Sequence, residues 1–252
     1  MAPQHNSVSE EQMLAQDSMW IFGYGSLIWH PNFDFTERKT GYVDGFVTRF
    51  WQGSITHRGT PDKPGRVATM IEQQGGQAWG VVFKVEGTEQ ITKALLHLNT
   101  RECHLGGYQV QEVTFTVTDG EKEEEDGQEI SAIAFRATPD NDLFEGPDTA
   151  EETAKVVAAS RGWVGHNAEY LFRLVDFMHQ TVPDAKDRYL FELESLTMQL
   201  LKCNCAEDWT ASKSCRGSNK RGVSQASDTV QYYHKCFQQA SVQSGGVSQM
   251  VN

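Results

Sequence analysis

This 252-residue sequence has too few basic residues to form a nucleic-acid-binding surface. The chain contains 22 Lys and Arg against 34 Asp and Glu, which gives a formal net charge of −12 at pH 7. A protein that binds nucleic acid needs Lys and Arg clustered where they can contact phosphates. The composition therefore argues against a nucleic-acid partner.

Long apolar runs are also missing from the sequence. No segment approaches the roughly 20 apolar residues that a membrane-spanning helix requires. Residues 1–18 are polar, contain Glu10, Glu11 and Asp17, and lack the apolar core of a secretory signal. We therefore predict a disordered N-terminal segment at 1–18, no membrane association and a cytosolic location.

Cysteine is scarce in most of the chain. The total of five is odd, and all except Cys103 lie in the last fifty residues. No disulfide framework can therefore span the body of the protein, and we expect reduced thiols. The C-terminal cysteines and a histidine among them offer zinc ligands as an alternative, although their spacing matches no regular Cys-x2-Cys framework: Cys203, Cys205, Cys215, His234 and Cys236.

Strand-like segments occupy the first half of the body, which we place at residues 19–202. They are Trp20–Phe22, Phe46–Ser54, Arg66–Ile71, Ala78–Val85, Tyr108–Thr118 and Glu129–Ala137. In the fifth segment Val113, Phe115 and Val117 alternate with polar residues, which indicates a strand with one buried face. The acidic stretch Asp119–Gln128 is too polar to bury and predicts a hairpin loop.

Helical patterns follow the strands. Thr88 is the expected N-cap of a helix between the fourth and fifth strands. Thr149 and Glu152 form a capping-box pattern at the start of a second helix. Asn167 can cap a third helix, and a fourth follows Pro183-Asp184. The apolar stripes of the first, third and fourth helices are Ile91, Leu95, Leu98; Leu171, Leu174, Val175, Met178; and Leu190, Leu193, Leu201.

Strands that precede helices, with few strict βαβ alternations, indicate an α+β fold. We predict a mixed, barrel-like sheet with helices packed outside it. Residues 203–252 are rich in Ser, Gln, Asn and Gly and poor in aliphatic residues. We therefore predict that they form a polar, Cys-containing, mostly disordered tail, whose protein partner, if it has one, is unknown.

The most informative stretch runs from Trp20 to Trp29. An apolar run stops at Gly23-Tyr24-Gly25-Ser26 and resumes at Leu27-Ile28, which is typical of a buried strand that turns sharply into a loop. Glycine lets a ligand approach backbone N–H groups without meeting a Cβ. We interpret the segment as a loop that binds a small anion, against the alternative of a purely structural turn.

A dinucleotide-binding loop is a further interpretation of the same glycines. That fingerprint requires a third Gly or Ala three residues after the second glycine, where this chain has Ile28. Pro31, Asn32 and Asp34 also interrupt the long helix that should follow. The sequence therefore argues against a dinucleotide site.

Glu102 lies where the first helix is expected to end, before the helix-stopping pair Gly106-Gly107. Side chains at such boundaries often line clefts, so Glu102 is a candidate for catalysis, against the alternative of a solvated surface glutamate. The adjacent Cys103-His104 resembles a nucleophile with its base, but neighbours in sequence rarely face one another.

Arg58 and Arg66 belong to a basic, Gly- and Pro-rich loop, His57–Arg66, between two predicted strands. Either arginine can bind a carboxylate or phosphate through charge-assisted hydrogen bonds. The alternative is a rigid connector with exposed charge, and the sequence leaves both open.

Taken together, these segments resemble one family, the ChaC-type glutathione-specific γ-glutamylcyclotransferases. Several long matches in the family's order are more specific than any single glycine loop. They cover roughly Met19 to Leu201 and comprise Met19–Trp29, Arg49–Ser54, His57–Pro61, Lys63–Val67, Trp79–Val81, Arg101–Glu102, Gly107–Tyr108, Gly146–Pro147 and Asn167–Leu171.

The resemblance implies a γ-glutamylcyclotransferase-like small mixed β-barrel with flanking helices. It also implies cleavage of reduced glutathione to 5-oxoproline and cysteinylglycine, with Glu102 as acid/base and with Tyr170 lining the pocket. The γ-glutamyl group would be held by the backbone of Gly23, Tyr24, Gly25, Ser26, Leu27 and Ile28. Phe144, where a tyrosine is common, and His166, where an arginine is common, depart from the family pattern.

The chemistry of this reaction fits the candidate residues. The substrate's own α-amine attacks its γ-carbonyl, so we expect no enzyme nucleophile, metal or other cofactor. That amine is protonated at neutral pH and needs a base, and one partly buried carboxyl can serve first as base and then as acid. Two alternatives are the same fold acting on γ-glutamyl-amino acids or γ-glutamylamines, and a catalytically idle scaffold whose tail binds a partner.

Overall fold

The computed structural model describes residue 13 and residues 16–104, 106–118, 127–183, 185 and 187–212, with side chains through Lys202. The chain divides into two compact units, Met1–Thr197 and Met198–Asn252. The predicted segments 1–18 and 203–252, the centre of the acidic loop and the C-terminal cysteines lie wholly or largely outside the described residues, so these predictions stay predictions.

Five strands close into a barrel in the first unit. They are β1 (Ser18–Gly23), β2 (Glu37–Ser54), β3 (Gly65–Glu86), β4 (Gln109–Val117) and β5 (Glu129–Arg136). The order around the barrel is β1-β3-β2-β4-β5. The barrel closes where β1 runs parallel to β5, whereas the other neighbouring strands are antiparallel. The predicted mixed barrel is confirmed.

Two of the strands are longer than the sequence indicates. Arg66–Ile71 and Ala78–Val85, predicted as separate strands, are both parts of β3, and β2 begins at Glu37 rather than at Phe46. The register between these strands shifts between Asp44 and Phe46 and again between Arg49 and Gln52. Such bulges bend a strand pair, which lets two long strands wrap around the barrel.

The barrel interior is filled by the alternating apolar face that the sequence predicts for β4. Val113, Phe115 and Val117 are 6%, 0% and 0% exposed. The ring of Phe115 lies 5.4 Å from that of Phe22 on β1. The strand that leads into the glycine loop is therefore anchored in the core.

Four helices accompany the barrel in the described part of the chain: α1 (Thr88–Leu98), α2 (Ala150–Ala159), α3 (Asn167–Thr181) and α4 (Arg188–Ser212). The stripe Ile91, Leu95 and Leu98 on α1 packs with Met19 and Ile21 of β1. None of the described helices is long and apolar enough to cross a membrane.

The helix starts confirm one predicted cap and correct two. Thr149 and Glu152 form the reciprocal capping box of α2. The N-cap of α1 is Gly87, not Thr88. The N-cap of α3 is His166, whose ring accepts a hydrogen bond from the Ala168 amide. The Asn167 side chain does not cap the helix, since its Oδ1 accepts from the Arg66 amide of β3. A small hairpin, β6 (Arg161–Gly162) and β7 (Gly165–His166), connects α2 to α3.

Candidate active site

A cavity of about 440 Å³ lies at one end of the barrel. The elements that meet there are the end of β1 with the glycine loop, the segment after α1, the β2–β3 connection, the β6–β7 hairpin and α3. Its lining includes Tyr24, Gly25, Ser26, Leu27, Arg58, Arg101, Glu102, Tyr108, Trp163 and Tyr170. The fold thus brings the predicted loop, Glu102 and Tyr170 to one cavity.

The glycine loop continues into a short 3₁₀ turn, Ser26–Ile28, in which the Ile28 amide donates to the Gly25 carbonyl at 3.0 Å. A Cβ on Gly25 would lie 2.5 Å from Tyr170 Oη, so only glycine fits beside that tyrosine. Within the described part of the chain, the amides of Ser26 and Leu27 donate no hydrogen bond. Two N–H groups beside the cavity are therefore free to bind an anion.

Two residues of the predicted loop lie beside the cavity rather than in its lining. Gly23 ends β1, where it pairs with Val81 of β3, and a Cβ there would lie 2.7 Å from the Leu27 Cβ. Ile28 is buried. Both residues support the shape of the loop, and a direct role in binding for either stays a prediction.

Glu102 lies in a π-helical turn, Asn99–His104, that extends α1. Gly107 ends the turn with a φ of +68°, as the glycine pair predicts. Its amide donates to the Cys103 carbonyl at 2.9 Å, and the Tyr108 amide donates to the Glu102 carbonyl at 3.0 Å. Asn141 Nδ2 donates to the Gly107 carbonyl at 2.6 Å. The backbone that carries Glu102 is thus fixed on both sides.

The carboxyl of Glu102 is largely buried, with 15% of the side chain exposed. Burial raises its pKa above the ordinary value, and the positive charge of Arg101 opposes that rise. Arg101 Nε lies 2.9 Å from Oε1 as an ion pair, but no described residue donates an aligned hydrogen bond to that oxygen. A buried, incompletely satisfied carboxyl of this kind is suited to proton transfer.

Three tyrosines form the wall around Ala68 and Glu102. Tyr108 Oη donates to the Ala68 carbonyl at 2.7 Å, and the Ala68 amide donates to Tyr170 Oη at 3.2 Å. Tyr24 Oη donates to the Phe135 carbonyl. Burial raises the pKa of all three hydroxyls, that of Tyr170 to about 12, so they stay neutral. Tyr170 lines the cavity as the sequence predicts, whereas the sequence did not single out Tyr108.

The structure distinguishes the two candidate arginines. Arg58 lines the cavity, and its Nη1 donates to the His166 carbonyl at 3.0 Å and to Glu169 Oε2 at 3.1 Å. Arg66 does not appear among the described residues that line the cavity, and it pairs with Asp148 at 3.0 Å. Arg58 is therefore the better placed of the two to meet a ligand.

Cys103 and His104 do not form a nucleophile–base pair in the cavity lining described above. The Cys103 side chain packs against the apolar cluster of α1 and β1. Burial raises the pKa of its thiol to about 11, which disfavours the nucleophilic thiolate. Among the residues that the structure describes, no three His, Cys, Asp or Glu side chains are grouped as metal ligands.

Arg101 is the functional candidate that sequence reasoning missed. Its Nη1 donates to the His30 carbonyl at 2.6 Å and its Nη2 to Ser26 Oγ at 2.6 Å. The only signal in the sequence is its position next to Glu102 in a segment that resembles the family. The long-range contact with Ser26 depends on the fold and has no local pattern.

Comparison with known proteins identifies the family to which the chain belongs. A family model described as ChaC-like protein matches residues 19–200. The chain is 45% identical over 188 residues to the human protein named glutathione-specific gamma-glutamylcyclotransferase 1, covering 75% of this chain and 82% of that protein. It is 34% identical over 210 residues to the Saccharomyces cerevisiae glutathione-specific gamma-glutamylcyclotransferase, covering 68% and 89%.

A solved structure shares the fold. The crystal structure of the γ-glutamyl cyclotransferase specific to glutathione from yeast superimposes with a TM-score of 0.66 at 31% sequence identity. The match covers 73% of this chain and 97% of that chain. The fold of the barrel and its helices is therefore a known architecture.

Proposed function

The chain belongs to the ChaC-like family, and from this premise we propose that it is a glutathione-specific γ-glutamylcyclotransferase with Glu102 as its acid/base. The family match over residues 19–200 and the identity of 45% to a human enzyme of that name support the activity. The assignment of Glu102 comes from the geometry and chemistry of the cavity. The cytosolic location stays a prediction from the sequence.

The proposed reaction is an intramolecular acyl transfer. The nitrogen of the substrate's α-amine attacks the γ-carbonyl carbon, a C–N bond forms and closes the five-membered lactam, and the C–N bond to the cysteine residue breaks. Glu102 accepts one proton from the α-ammonium and gives it to the departing amine of cysteinylglycine. The attacking nitrogen loses a second proton as it becomes the lactam N–H, and this loss is balanced by the proton that the released amine takes up to become an ammonium. The attacking and leaving groups belong to one molecule, so no water or enzyme nucleophile enters the product.

The observation that carries this proposal is the state of the Glu102 carboxyl. It lines the cavity, burial raises its pKa, and Oε1 receives no aligned hydrogen bond from the described residues. A carboxylate with a raised pKa is a stronger base than an exposed glutamate. The same shift makes its protonated form a usable acid in the second half of the reaction.

The glycine loop, which lines the same cavity, supplies hydrogen-bond donors for negative charge on the substrate. The unbonded amides of Ser26 and Leu27 are placed to bind either the substrate's α-carboxylate or the oxyanion that develops on the γ-carbonyl. The first role lowers KM, whereas the second raises kcat. Both roles keep the γ-glutamyl group next to Glu102.

The alternative substrates differ only in the group that leaves. γ-Glutamyl-amino acids and γ-glutamylamines carry the same reacting half, so any preference for glutathione must come from the rest of the cavity. An idle scaffold is disfavoured because Glu102 and the whole Gly23–Ile28 loop are present around an open cavity of about 440 Å³. Substrate comparison separates these possibilities.

The test is product formation by the purified full chain. With reduced glutathione we expect 5-oxoproline and cysteinylglycine in equal amounts, measured by mass spectrometry, and no free glutamate. A panel of γ-glutamyl-alanine, γ-glutamyl-ε-lysine and γ-glutamylcysteine should react more slowly than glutathione. If another compound of the panel reacts faster than glutathione, that compound is the preferred substrate. If none of the compounds reacts, the result supports the idle scaffold.

A further inference from the structure

We propose that Arg101 is a positioning residue that fixes Glu102 and the Ser26 hydroxyl relative to each other through one guanidinium group. This inference rests on the proposed function and deepens it. It concerns a residue that the reaction as written above does not use, since the proton transfers need only Glu102 and the anion site needs only the loop.

The geometry engages all three nitrogens of the guanidinium. Nε lies 2.9 Å from Glu102 Oε1, Nη1 donates to the His30 carbonyl at 2.6 Å, and Nη2 donates to Ser26 Oγ at 2.6 Å. The Arg101 side chain is 14% exposed and that of Glu102 15%, so their ion pair is largely shielded from water, whereas the hydrogen bond to the His30 carbonyl is exposed. The π-turn and the glycine loop, 75 residues apart in sequence at Arg101 and Ser26, are thereby joined at the cavity.

The contact with Ser26 has a chemical consequence. A hydroxyl that accepts a hydrogen bond from a guanidinium keeps its own O–H free to donate. Ser26 lines the cavity, and its amide makes no hydrogen bond within the described part of the chain. The residue can therefore offer both its amide and its hydroxyl to a substrate anion, and Arg101 holds that hydroxyl in place.

The contact with Glu102 sets the protonation of the base. Burial favours the neutral acid, and Arg101 favours the carboxylate, so the pKa is raised by less than burial alone would raise it. Burial raises the pKa of the neighbouring thiol and hydroxyls, which therefore carry no charge near neutral pH: Cys103, Tyr24, Tyr108 and Tyr170. The guanidinium of Arg58, which also lines the cavity, is a second positive charge and is paired with Glu169. Burial and the positive charge of Arg101 lower the pKa of two nearby histidines, His57 and His97.

Lysine cannot replace this arrangement. A guanidinium presents its donors in a fixed planar fork, whereas an ammonium is a single point charge on a flexible stem. Arg101→Lys therefore keeps the positive charge beside Glu102 and loses the simultaneous contacts. Arg101→Gln loses both the fork and the charge. The two variants separate positioning from electrostatics.

The experiment measures kcat, KM and the pH dependence of kcat/KM for glutathione cleavage by the full chain. For Arg101→Lys we expect kcat to fall by about 10²-fold, the cost of a small misplacement of reacting groups. The acid limb, the pH range over which kcat/KM falls as pH falls, should stay near that of the wild type. For Arg101→Gln the limb should move to higher pH, because the charge that lowers the pKa of Glu102 is gone.

Arg136→Lys is the matched control. Arg136 is also mostly buried and forked, with Nε donating to the Met70 carbonyl at 2.9 Å and Nη1 to Glu72 at 2.9 Å, but it does not appear in the described lining of the cavity. Its replacement should lower the melting temperature without moving kcat or the acid limb. A purely structural role for Arg101 would give the same pattern as this control.

The outcomes are separable from those of the proposed function. If the wild type forms no 5-oxoproline, the proposed function fails. If the wild type is active while Arg101→Lys keeps wild-type kcat, the positioning role is wrong. If Arg101→Gln does not fold, the positioning role is tested with Arg101→Lys, both in the wild type and in a Glu102→Gln variant. In that background Arg101→Lys should add less than twofold to the loss, and a full 10²-fold addition would contradict action through Glu102.

Discussion

Asn167 is a single side chain on which the geometry of the cavity depends. It is fully buried at the start of α3, where its Oδ1 accepts from the Arg66 amide at 2.6 Å and its Nδ2 donates to the Arg66 carbonyl at 2.7 Å. Two residues along β3, Ala68 bonds to the hydroxyls of Tyr108 and Tyr170. Asn167 thus attaches α3 to the strand that organises the tyrosine wall.

Replacing Asn167 by Ala leaves a buried backbone N–H and a buried C=O without partners. Each such loss costs about 1–3 kcal/mol, so the free energy of unfolding should fall by about 2–6 kcal/mol. For a domain of this size about 1 kcal/mol corresponds to about 2–4 °C, which predicts a fall in melting temperature of about 4–24 °C.

Thermal and urea unfolding of the full chain measure this loss, with His166→Ala as the control. The His166 ring caps α3 by accepting from the Ala168 amide at 3.1 Å, and loss of an N-cap costs about 0.5–2 kcal/mol. Asn167→Ala should therefore be the less stable of the two variants. If the melting temperature of Asn167→Ala stays within about 2 °C of the wild type, the two hydrogen bonds to Arg66 do not stabilise the fold as proposed.

Two further predictions concern catalysis. Because burial raises the pKa of Glu102 above its ordinary value of 4.5, and because the base must be ionised, kcat/KM should fall as pH falls through that raised pKa; an acid limb at or below pH 4.5 would contradict this. A preference for glutathione over γ-glutamylcysteine requires a contact to the glycine carboxylate, and one charge-assisted hydrogen bond supplies a preference of roughly tenfold in kcat/KM. Arg58 lines the cavity, whereas Arg66 pairs with Asp148. Arg58→Ala should therefore narrow this preference, and Arg66→Ala should not. Equal kcat/KM values for glutathione and γ-glutamylcysteine in the wild type would contradict a contact between Arg58 and the glycine carboxylate.

Much of the barrel follows from local patterns. The alternation at Val113, Phe115 and Val117 predicts the buried face of β4, and the capping box at Thr149 predicts the start of α2. The first half of β2 escaped prediction because Glu37–Gly45 contains charged residues and glycines, and its pairing with β3 and β4 depends on barrel closure rather than on local propensity.

The sequence predicted the residues proposed to bind and react with the substrate, but not the residues that hold them in position. The glycine loop and Glu102 stand out as a strand end and a helix end, and the fold brings both to one cavity. The remaining contacts join segments that are distant in sequence. They are the contacts of Arg101 with Ser26, of Tyr108 with Ala68 and of Asn167 with Arg66. Asn167 resembles an N-cap locally, yet its amide is taken by Arg66 once α3 packs on β3.

We claim that the Glu102 carboxyl moves the protons of the reaction, and Glu102→Gln tests this role. The change keeps size and burial but removes the base, so we expect a folded protein with kcat for 5-oxoproline formation reduced by about 10²–10⁴-fold. Glu112→Gln, at an exposed position on β4 that bonds to Ser131, is the control and should keep wild-type kcat. A folded Glu102→Gln variant that forms 5-oxoproline from glutathione at the wild-type rate would contradict the claim.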